Sequence, residues 1–469
     1  MKLSQPSSVA DSFSSMVEDG NTDFNLQDGS RVAVVGGGPA GSFFSYFLLK
    51  MAAAVGLDVE VDIFEPRSFN HCGPAGCNHC GGIVSESLVQ ILSAEGLLLP
   101  RHVVQRGVES YVVHMDVGDV AIQSPVHEQR IAALYRGNGP REGGKADKLS
   151  FDAHLQSLAV EQGAHVVRKL VNGMCMQLGK PVLVHPDGQG KTYDLVAVAT
   201  GVNSNFLRFV AEYSDAFKLP RTTRGFIAEF RSSEEEMLAT LGRSVHVFLL
   251  DLPRFEFAAI IPKGPVATLV MVGDDIDEDL VEKFLNDPVV AAVLPADAVR
   301  CVCSCSPLIN LGARARPYTD RMVMIGDSGV TRLYKDGIGA AYRTGKSAAT
   351  TAVFNGVSAR DFETHFWPTC RNISRDNAVG KVMFASNGVM KRSRLARRMI
   401  REMAKREQDH PERSPHMSSL LWNMFTGSAP YSEMFLGTLH PGFIGHLMVS
   451  LAAALRPKRK KTNVERRAA

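Results

Sequence analysis

Three cysteines lie close together in a glycine-rich segment of the chain. The segment reads "FNHCGPAGCNHCGG" and places Cys72, Cys77 and Cys80 at a C-x4-C-x2-C spacing, with His71 and His79 beside them. Cysteine thiolates at this spacing can hold an iron-sulfur cluster, and a mixed set of cysteines and histidines can bind zinc. The same thiols could instead be redox-active. The segment therefore indicates a metal site, a reactive thiol or neither, depending on what the fold places around it.

A second group of cysteines follows much later in the chain. The segment "CVCSCS" contains Cys301, Cys303 and Cys305. On a β-strand, residues two apart share a face, so these three thiols would lie together. Any one of them could supply the fourth ligand of a cluster held by the first group. The structural alternative makes the first segment a glycine-rich lid and the second group small buried apolar side chains, as free cysteines usually are.

Composition excludes several classes of protein. The chain has 469 residues, 45% hydrophobic and 22% charged, as expected of a soluble globular protein with two or three domains. Its net charge of +3 is too small to indicate a nucleic-acid partner. The polar N-terminus lacks the apolar core of a secretory signal, and no run of about eighteen apolar residues occurs. We therefore expect a cytoplasmic protein that binds no nucleic acid and whose eight cysteines are not disulfides.

The elements that must position the cysteines begin with a glycine motif. In "RVAVVGGGPAGSFFSYFLLKMA" a short apolar run ends at Gly36, and an apolar helical pattern follows Gly41. Strand, tight turn and helix in this order are the context in which G-x-G-x-x-G binds a dinucleotide. Gly36 would make the turn, Gly38 would let a pyrophosphate approach the backbone, and Gly41 would let the helix pack on the strand. A second predicted strand, Val59 to Phe64, ends in Glu65, where a carboxylate can bind ribose hydroxyls.

A second motif distinguishes between dinucleotides. In "DRMVMIGDSGVTRLYKDGIGAAYRTGKSAA" a predicted strand leads to Gly326 and Asp327, and "DGIGAA" begins a second helix. Asp327 can accept a hydrogen bond from a ribityl hydroxyl, and the amides of Gly337 to Gly339 can face the electron-rich edge of a reduced isoalloxazine. The pair of motifs indicates FAD. No second G-x-G-x-x-G follows a strand, so we expect no separate domain for NAD(P)H.

These motifs, in this order, resemble the FAD-dependent oxidoreductases of the geranylgeranyl reductase-like and aromatic-hydroxylase type. The resemblance covers about Val32 to Val353 and includes "CGG" at Cys80 to Gly82, "SFDAHLQSLAVEQGA" and "DLVAVATGVNS". It implies that Cys80 is a thiol beside the flavin, which donates a proton or gates the site. It also implies that Gly81 and Gly82 let the backbone approach the flavin ring.

The motifs and the resemblance together assign a set of residues to FAD. They are Gly36, Gly38, Pro39, Ala40, Gly41, Glu65, Pro66, Arg67, Gly81, Gly82, Thr200, Gly201, Gly326, Asp327, Gly337, Ile338 and Gly339. Two segments depart from the family pattern. Thr200 stands where the family has the Asp of an Ala-Asp-Gly motif. The segment "FEFAAIIP" keeps only Phe255, Phe257 and Pro262 of an aromatic substrate motif, which argues against a polyprenyl substrate.

The order of the motifs predicts a mixed α/β fold. It would combine a discontinuous Rossmann-type FAD-binding domain, an antiparallel β-sheet substrate domain and a C-terminal helical extension. The predicted boundaries are a poorly ordered N-terminus at 1–29, FAD-binding segments at 30–105, 134–206 and 317–356, sheet segments at 106–133 and 207–316, and a helical region with a basic tail at 357–469. A substrate would lie between the sheet and the flavin.

We expect the function to be that of a reductase, in which reduced FAD gives a hydride to a C=C bond or a quinone-like acceptor in a small hydrophobic substrate, and Cys80 supplies the proton. The reductant would be transiently bound NAD(P)H or a protein such as ferredoxin. Two alternatives stay open: a hydroxylating monooxygenase, and an electron carrier that contains flavin and an iron-sulfur cluster. A halogenase is disfavoured because Trp367 and Trp422 are the only tryptophans and form no paired motif.

The C-terminal sequence suggests a contact with a membrane. The segment "GFIGHLMVSLAAALRPKRKK" joins an apolar helix of about 13 residues to a basic cluster, which is typical of a helix at the surface of anionic lipid. The alternative is a helix that docks on the protein itself and carries a solvated basic tail. Peripheral association with a membrane is thus one of two interpretations of this segment.

Overall fold

The computed structural model describes residues 24–69, 81–124, 131–134, 150–213, 217–312 and 316–455. Their strands are β1 (Ser30–Val35), β2 (Val59–Phe64), β3 (Ile83–Val84), β4 (Val104–Val108), β5 (Ser110–His114), β6 (Val120–Gln123), β7 (Ile131–Leu134), β8 (His165–Val167), β9 (Gly173–Gln177), β10 (Lys180–His185), β11 (Gly188–Thr192), β12 (Leu195–Val198), β13 (Arg221–Arg224), β14 (Phe226–Arg231), β15 (Ser244–Phe248), β16 (Phe255–Pro262), β17 (Val266–Gly273), β18 (Val299–Cys305), β19 (Leu308–Gly312), β20 (Tyr318–Thr319) and β21 (Met322–Met324).

The helices of the described residues are α1 (Pro39–Ala54), α2 (Glu86–Ala94), α3 (Phe151–Glu161), α4 (Asn205–Tyr213), α5 (Glu234–Leu241), α6 (Glu278–Leu285), α7 (Pro288–Ala291), α8 (Gly337–Phe354), α9 (Ala359–Asp361), α10 (Trp367–Arg392), α11 (Arg394–Asp409), α12 (His416–Thr426), α13 (Tyr431–Thr438) and α14 (Pro441–Ala454). A 3₁₀ turn at Gly326–Ser328 precedes α8, and a π-helical turn at Phe362–Phe366 joins α9 to α10.

The first sheet has six strands in the order β20-β21-β12-β1-β2-β8. All neighbours run parallel except β20 and β21, which are antiparallel. Its central strand β1 reads "SRVAVV", and Val32, Ala33 and Val34 are fully buried. Val32 and Val34 pack with α1, whereas Ala33 packs with residues of α4 and β10 on the opposite face. A strand covered on both faces is expected to be a continuous apolar run, as this one is.

Helices α1 and α8 pack against each other on one face of the first sheet. A Cβ added at Gly345 of α8 would lie 3.2 Å from both the Ala40 carbonyl oxygen and the Phe44 amide nitrogen of α1. Glycine at this position therefore lets the two helices approach closely. A Cβ at Gly326 would lie 2.7 Å from the Cβ of Ala40 and 3.8 Å from that of Ala341. The first turns of both helices thus converge on the turn that follows β21.

The second sheet has seven strands in the order β18-β14-β17-β16-β15-β5-β6. Its strands alternate between two environments, as the period of two in the sequence requires. Ala258 and Ile260 of β16 pack with Phe284 of α6 on one face, while Ala259 and Ile261 line a cavity on the other. One face of this sheet therefore packs against α6, and the other face borders the cavity.

The C-terminal helices pack on the second sheet and on the loop before α8. Ile400 and Met403 of α11 join a buried cluster with Val113 of β5. Arg397 of α11 binds Asp116 in the β5–β6 turn through Nε and Nη2, at 2.6 and 2.9 Å. The helical region is thus part of the same core as the sheet.

The predicted fold class is confirmed: a Rossmann-type sheet, a second sheet and a C-terminal helical extension are all present. The second sheet differs from the prediction in one pairing, because β5 and β15 run parallel. The chain between these two strands passes through the first sheet, so no short hairpin connects them and an antiparallel pairing is not required. The domain boundaries stay a prediction.

Candidate functional site

The glycine motif forms an open helix N-terminus at the edge of the first sheet. Gly36 has φ +106°, and a Cβ there would lie 2.5 Å from the Ala199 carbonyl oxygen, so only glycine fits the turn. A Cβ at Gly41 would overlap the Gly36 carbonyl oxygen. Gly38 is the N-cap of α1 and has no side-chain cap, and no heavy atom lies within 4 Å of its Cβ position. The space beside this helix end is therefore open.

Glu65 lies at the end of β2 and is only 3% exposed. Its carboxylate accepts hydrogen bonds of 3.0 Å from the Gly37 amide and from the amide and Nε of Arg67. The guanidinium of Arg168 donates to the Glu65 carbonyl oxygen at 3.1 Å and to Gln156 Oε1 at 2.9 Å. These bonds fix the predicted ribose-binding acid beside the glycine turn, where Glu65 and Arg67 both line the cavity.

Asp327 is exposed, whereas the residues on either side of it, Gly326 and Ser328, are buried. Asn310 of β19 donates through Nδ2 to the Asp327 carbonyl oxygen at 2.9 Å and to that of Gly329 at 3.3 Å. The Gly326 amide donates to Thr344 Oγ1 of α8 at 2.9 Å. The turn is therefore held through its backbone, while the Asp327 side chain lines the cavity.

The start of α8 is held by a buried ion cluster. Asp336, the N-cap, has φ +54° and accepts from Arg332 Nη1 at 3.2 Å and from Arg343 Nη2 at 2.6 Å. A Cβ at Gly339 would overlap the Asp336 carboxylate, so glycine is needed there. Tyr334 also has positive φ, +60°. Two left-handed residues in one loop store strain, and such strain is typical of functional sites held by surrounding contacts.

Thr200 stands where the resembled family has an acid, and its neighbourhood is neutral. The Gly201 amide donates to Ser328 Oγ at 2.8 Å, and Thr200 Oγ1 lies 3.5 Å from the same oxygen. Short hydroxyl groups thus connect the loop after β12 to the turn after β21. Both Thr200 and Gly201 line the cavity.

A cavity of about 620 Å³ lies between these loops, the second sheet and the C-terminal helices. Direct cross-strand partners share a face of a sheet, and strand register defines one row across six strands. The row is Val113, Val247, Ala259, Val270, Ile227 and Cys305. Val247, Ala259, Val270 and Ile227 of this row line the cavity. The second sheet therefore gives the cavity an apolar wall.

The C-terminal helices complete the cavity, with Phe384 and Asn387 from α10 and Met424, Phe425 and Thr426 from α12. None of these residues was predicted from the sequence, because no motif connects them to the flavin signatures. Tyr334 and Lys335 also line the cavity. Their position directly before the "DGIG" motif is a weak sequence signal that they lie near the cofactor.

Four titratable side chains lie near this end of the cavity. Lys335 donates through Nζ to the carbonyl oxygens of Asn423 and Met424 at 2.9 and 3.1 Å, and burial lowers its pKa well below the usual value. Burial raises the pKa of Tyr334 to about 12, so its phenol keeps its proton at neutral pH. Burial also raises the pKa of Glu256 and lowers that of Lys391, whose charged groups lie 3.9 Å apart.

One further aromatic residue, Tyr111, lines the cavity. Tyr111 is 2% exposed, and its hydroxyl has no hydrogen-bond partner among the residues described. Its ring packs edge-on against Trp422, with 5.3 Å between the ring centroids. Burial raises the pKa of Tyr111, so the hydroxyl is neutral and available as a donor.

Of the six clustered cysteines, the structure describes the side chain of Cys305. Cys72, Cys77 and Cys80 lie outside the described residues, as do the side chains of Cys301 and Cys303. In the part of the chain that is described, no group of three or more His, Cys, Asp or Glu side chains could hold a metal ion. The predicted metal site gains no support and stays a prediction, as does the role of Cys80.

The structure places Gly81, which directly follows Cys80, and Cys305 of β18. A Cβ at Gly81, which follows Cys80, would lie 3.0 Å from Ile261 Cδ1 and Val270 Cγ2. Gly81 therefore lies against the apolar wall of the cavity. Cys305 is partly exposed and lies in the same cross-strand row as Val270, two strands away.

Most residues predicted to contact the cofactor come together at this cavity. Those that line it are Gly36, Gly38, Pro39, Ala40, Glu65, Pro66, Arg67, Gly81, Gly82, Thr200, Gly201, Asp327, Gly337 and Ile338. The other three, Gly41, Gly326 and Gly339, lie behind the wall, where each permits a close backbone or side-chain contact. Their predicted contact with a cofactor stays a prediction.

No family model matches the chain, and no curated protein matches it. Solved structures match it in fold. A geranylgeranyl bacteriochlorophyll reductase-like protein from Thermoplasma acidophilum has a TM-score of 0.60 and 18% sequence identity, with 77% of this chain and 88% of that chain covered. A mutant of halogenase PltM in complex with FAD has a TM-score of 0.58 and 13% identity, with 92% and 97% covered.

The p-nitrophenol 4-monooxygenase PnpA from Pseudomonas putida DLL-E4 has a TM-score of 0.57 and 15% identity, with 86% of this chain and 99% of that chain covered. At these identities the likeness establishes the fold. The resemblance inferred from the motifs is thereby confirmed at the level of fold, and the three similar proteins are described as reductase-like, a halogenase and a monooxygenase.

Proposed function

We propose that this chain is an FAD-dependent oxidoreductase, specifically a reductase that acts on a C=C bond or a quinone-like group of a hydrophobic substrate. The observation that carries the proposal is the two-sided cavity. One side bears the open N-terminus of α1, Glu65 and Asp327, and the other is the apolar face of the second sheet. A dinucleotide and an apolar molecule would meet between them.

The first side of the cavity fits FAD in shape and in chemistry. The uncapped N-terminus at Gly38 offers amides and a positive dipole end to a pyrophosphate. Glu65 is fixed where ribose hydroxyls could donate to it, and Asp327 is exposed where a ribityl hydroxyl could. Thr331 lines the cavity with a buried hydroxyl that has no partner among the described residues. When bound, FAD would supply hydride transfer, which no amino-acid side chain can provide.

The second side of the cavity supports an apolar substrate. Phe257, Ile261, Phe384 and Phe425 line it and would exclude water from the reacting groups. On this side of the cavity the substrate would therefore be mainly hydrocarbon.

The reaction requires a proton as well as a hydride. Reduction of a C=C bond or a quinone adds one hydride and one proton, and the proton must come from a group that is protonated at working pH. Tyr334 meets this requirement through its hydroxyl, which burial keeps protonated. Cys80, the donor implied by the family resemblance, is the second candidate. We propose NAD(P)H, bound transiently, or a ferredoxin-like protein as the source of electrons.

The test begins with the purified protein and its bound cofactor. We expect flavin absorbance, release of FAD on denaturation, and anaerobic bleaching by NADPH, NADH or reduced ferredoxin. Incubation of the reduced protein with an alkyl-substituted quinone should then give a product that has gained two hydrogen atoms, measured by mass spectrometry.

Other products would redirect the assignment. A product that gains one oxygen atom in air would replace the reductase with a monooxygenase. Iron and inorganic sulfide in the purified protein, with no turnover of small molecules, would favour the electron carrier. Absence of bound flavin, with no binding of added FAD, would overturn the proposal entirely.

A further inference from the structure

The last two described helices expose an unusual amount of apolar surface. Large apolar side chains between 38% and 65% exposed are concentrated there. They are Phe435, Leu436, Leu439, Ile444, Met448, Val449 and Leu455, and we call this set the docking face. Proteins that act alone in water rarely keep so many such side chains together, so the face is expected to have a partner.

Helix α14 is apolar on both of its sides. Phe443, Ser450 and Ala454 are buried, and α14 packs on α11. At 100° per residue, Ile444, Met448 and Leu455 fall within about 40° of one another and about 120° away from the buried side. A helix that is hydrophobic all round is normally buried on all sides. Only one side of α14 is covered by the described protein.

The charge pattern indicates what covers the other side. From Met434 to Leu455 the sequence contains no Asp, Glu, Lys or Arg. It then continues with Arg456, Lys458, Arg459, Lys460 and Lys461. An uncharged apolar face followed at once by a basic cluster is complementary to an anionic lipid surface, where acyl chains take the apolar groups and headgroups attract the cations.

The geometry favours a helix that lies on the membrane. No single helix in the described ranges is long and apolar enough to cross a bilayer. Helices α13 and α14 pass that test only as a pair, and their axes differ by 62°. The 14 residues of α14 extend about 21 Å, less than the hydrocarbon thickness of about 30 Å.

We propose that the docking face inserts into the interfacial region of an anionic phospholipid bilayer. Helix α12, which lines the cavity with Met424 and Phe425, contacts both α13 and α14. Docking would therefore place one wall of the cavity next to the lipid. The docking does not depend on the proposed reaction, and the experiment below requires no turnover.

The full-length protein is mixed with vesicles of phosphatidylcholine containing one-third phosphatidylglycerol, or of phosphatidylcholine alone, and floated on a density gradient. The test variant is Leu436→Glu with Met448→Glu, at side chains 65% and 60% exposed. The control is Leu98→Glu, which is 64% exposed outside the docking face. Because all three side chains are exposed, thermal unfolding should be unchanged and serves as the check on folding.

We expect wild type and the control to float with the anionic vesicles, and the double variant to bind at least about tenfold more weakly, since two charges would enter the acyl region. Binding of wild type should fall with salt, and removal of residues 456–469 should reduce this dependence. Failure of wild type to float, or equal binding by the double variant, overturns the proposal. A dimer that the double variant dissociates, without flotation, also overturns it and assigns the face to a second copy.

Discussion

Arg332 donates through Nη2 to the carbonyl oxygen of Ala429 at 2.8 Å, although 97 positions separate the two residues along the chain. Its Nη1 donates to the Gly427 carbonyl oxygen at 2.7 Å and to Asp336 Oδ2 at 3.2 Å. Asn377 of α10 holds the same loop, accepting from the Leu333 amide at 2.9 Å and donating to the Thr331 carbonyl at 2.7 Å. The C-terminal helices thus hold the loop that leads into α8.

Replacement of Arg332 should destabilise the fold strongly. Its side chain is only 5% exposed, and Arg332→Met would remove the guanidinium that binds the carbonyl oxygens of Gly427 and Ala429, and one of the two that bind Asp336. We expect a loss of about 3–5 kcal/mol in the free energy of unfolding, measured by urea titration. Arg343 binds the same carboxylate but is 42% exposed, so Arg343→Met should cost less than about 1 kcal/mol. Equal costs for both variants would contradict the role assigned to Arg332.

A side chain at Gly38 should prevent cofactor binding without unfolding the protein. Gly38 has φ −70° and ψ −171°, which valine adopts readily, and no heavy atom lies within 4 Å of its Cβ position. Gly38→Val would fill the space where a pyrophosphate approaches the helix end, and FAD affinity should fall by about 100-fold or more.

The measurement for Gly38→Val is titration of apoprotein with FAD, followed by flavin fluorescence. Gly388 of α10 also has no heavy atom within 4 Å of its Cβ position and does not line the cavity, so Gly388→Val is the matched control. Unchanged FAD binding by Gly38→Val would exclude this helix end from the cofactor site.

Removal of the Tyr334 hydroxyl should slow turnover and leave cofactor binding intact. Tyr334 lines the cavity, and its pKa of about 12 keeps the proton in place through the neutral range. We expect Tyr334→Phe to reduce turnover of a quinone acceptor by about 100-fold, as for loss of a proton donor. Tyr318 has a buried hydroxyl packed near Phe362, outside the cavity lining, so Tyr318→Phe should retain full turnover. Full activity in Tyr334→Phe would leave Cys80 as the remaining candidate donor.

The protein should lose stability as the pH falls below neutrality, through a buried histidine pair. His114 Nε2 and His246 Nδ1 lie 2.8 Å apart, and His246 Nε2 bonds the Leu241 carbonyl oxygen at 3.0 Å. Burial lowers the pKa of His246 from 6.5 to about 4, so the unfolded chain takes up this proton more readily than the folded one. The stabilisation is present above pH 6.5 and is lost progressively towards pH 4.

Urea titrations at several pH values between these limits measure this effect. The slope of unfolding free energy against pH should be smaller in His246→Phe than in wild type, whatever the absolute stability of the variant. An identical slope would mean that other groups cause the acid sensitivity.

Local sequence patterns determined the cofactor side of the site. Gly36 and Gly41 are specified by the turn from β1 into α1, a short-range event whose steric demands appear directly in residue types. The apolar wall was foreseeable for the same reason, because alternation in "FEFAAIIP" places Ala259 and Ile261 on one face of β16. In these cases the interaction that decides the structure lies within a few residues.

Tertiary structure alone decided the substrate side. Arg332 and Ala429, Tyr111 and Trp422, and the row that ends at Cys305 are brought together by contacts between distant segments. The parallel pairing of β5 with β15 is another such contact. No local sequence pattern encodes these contacts. Their contribution to stability depends on how distant elements pack together, and that packing is set only when the whole chain folds. The sequence therefore determined the helix end and the loops that are proposed to bind FAD, and the packed structure determined what faces them.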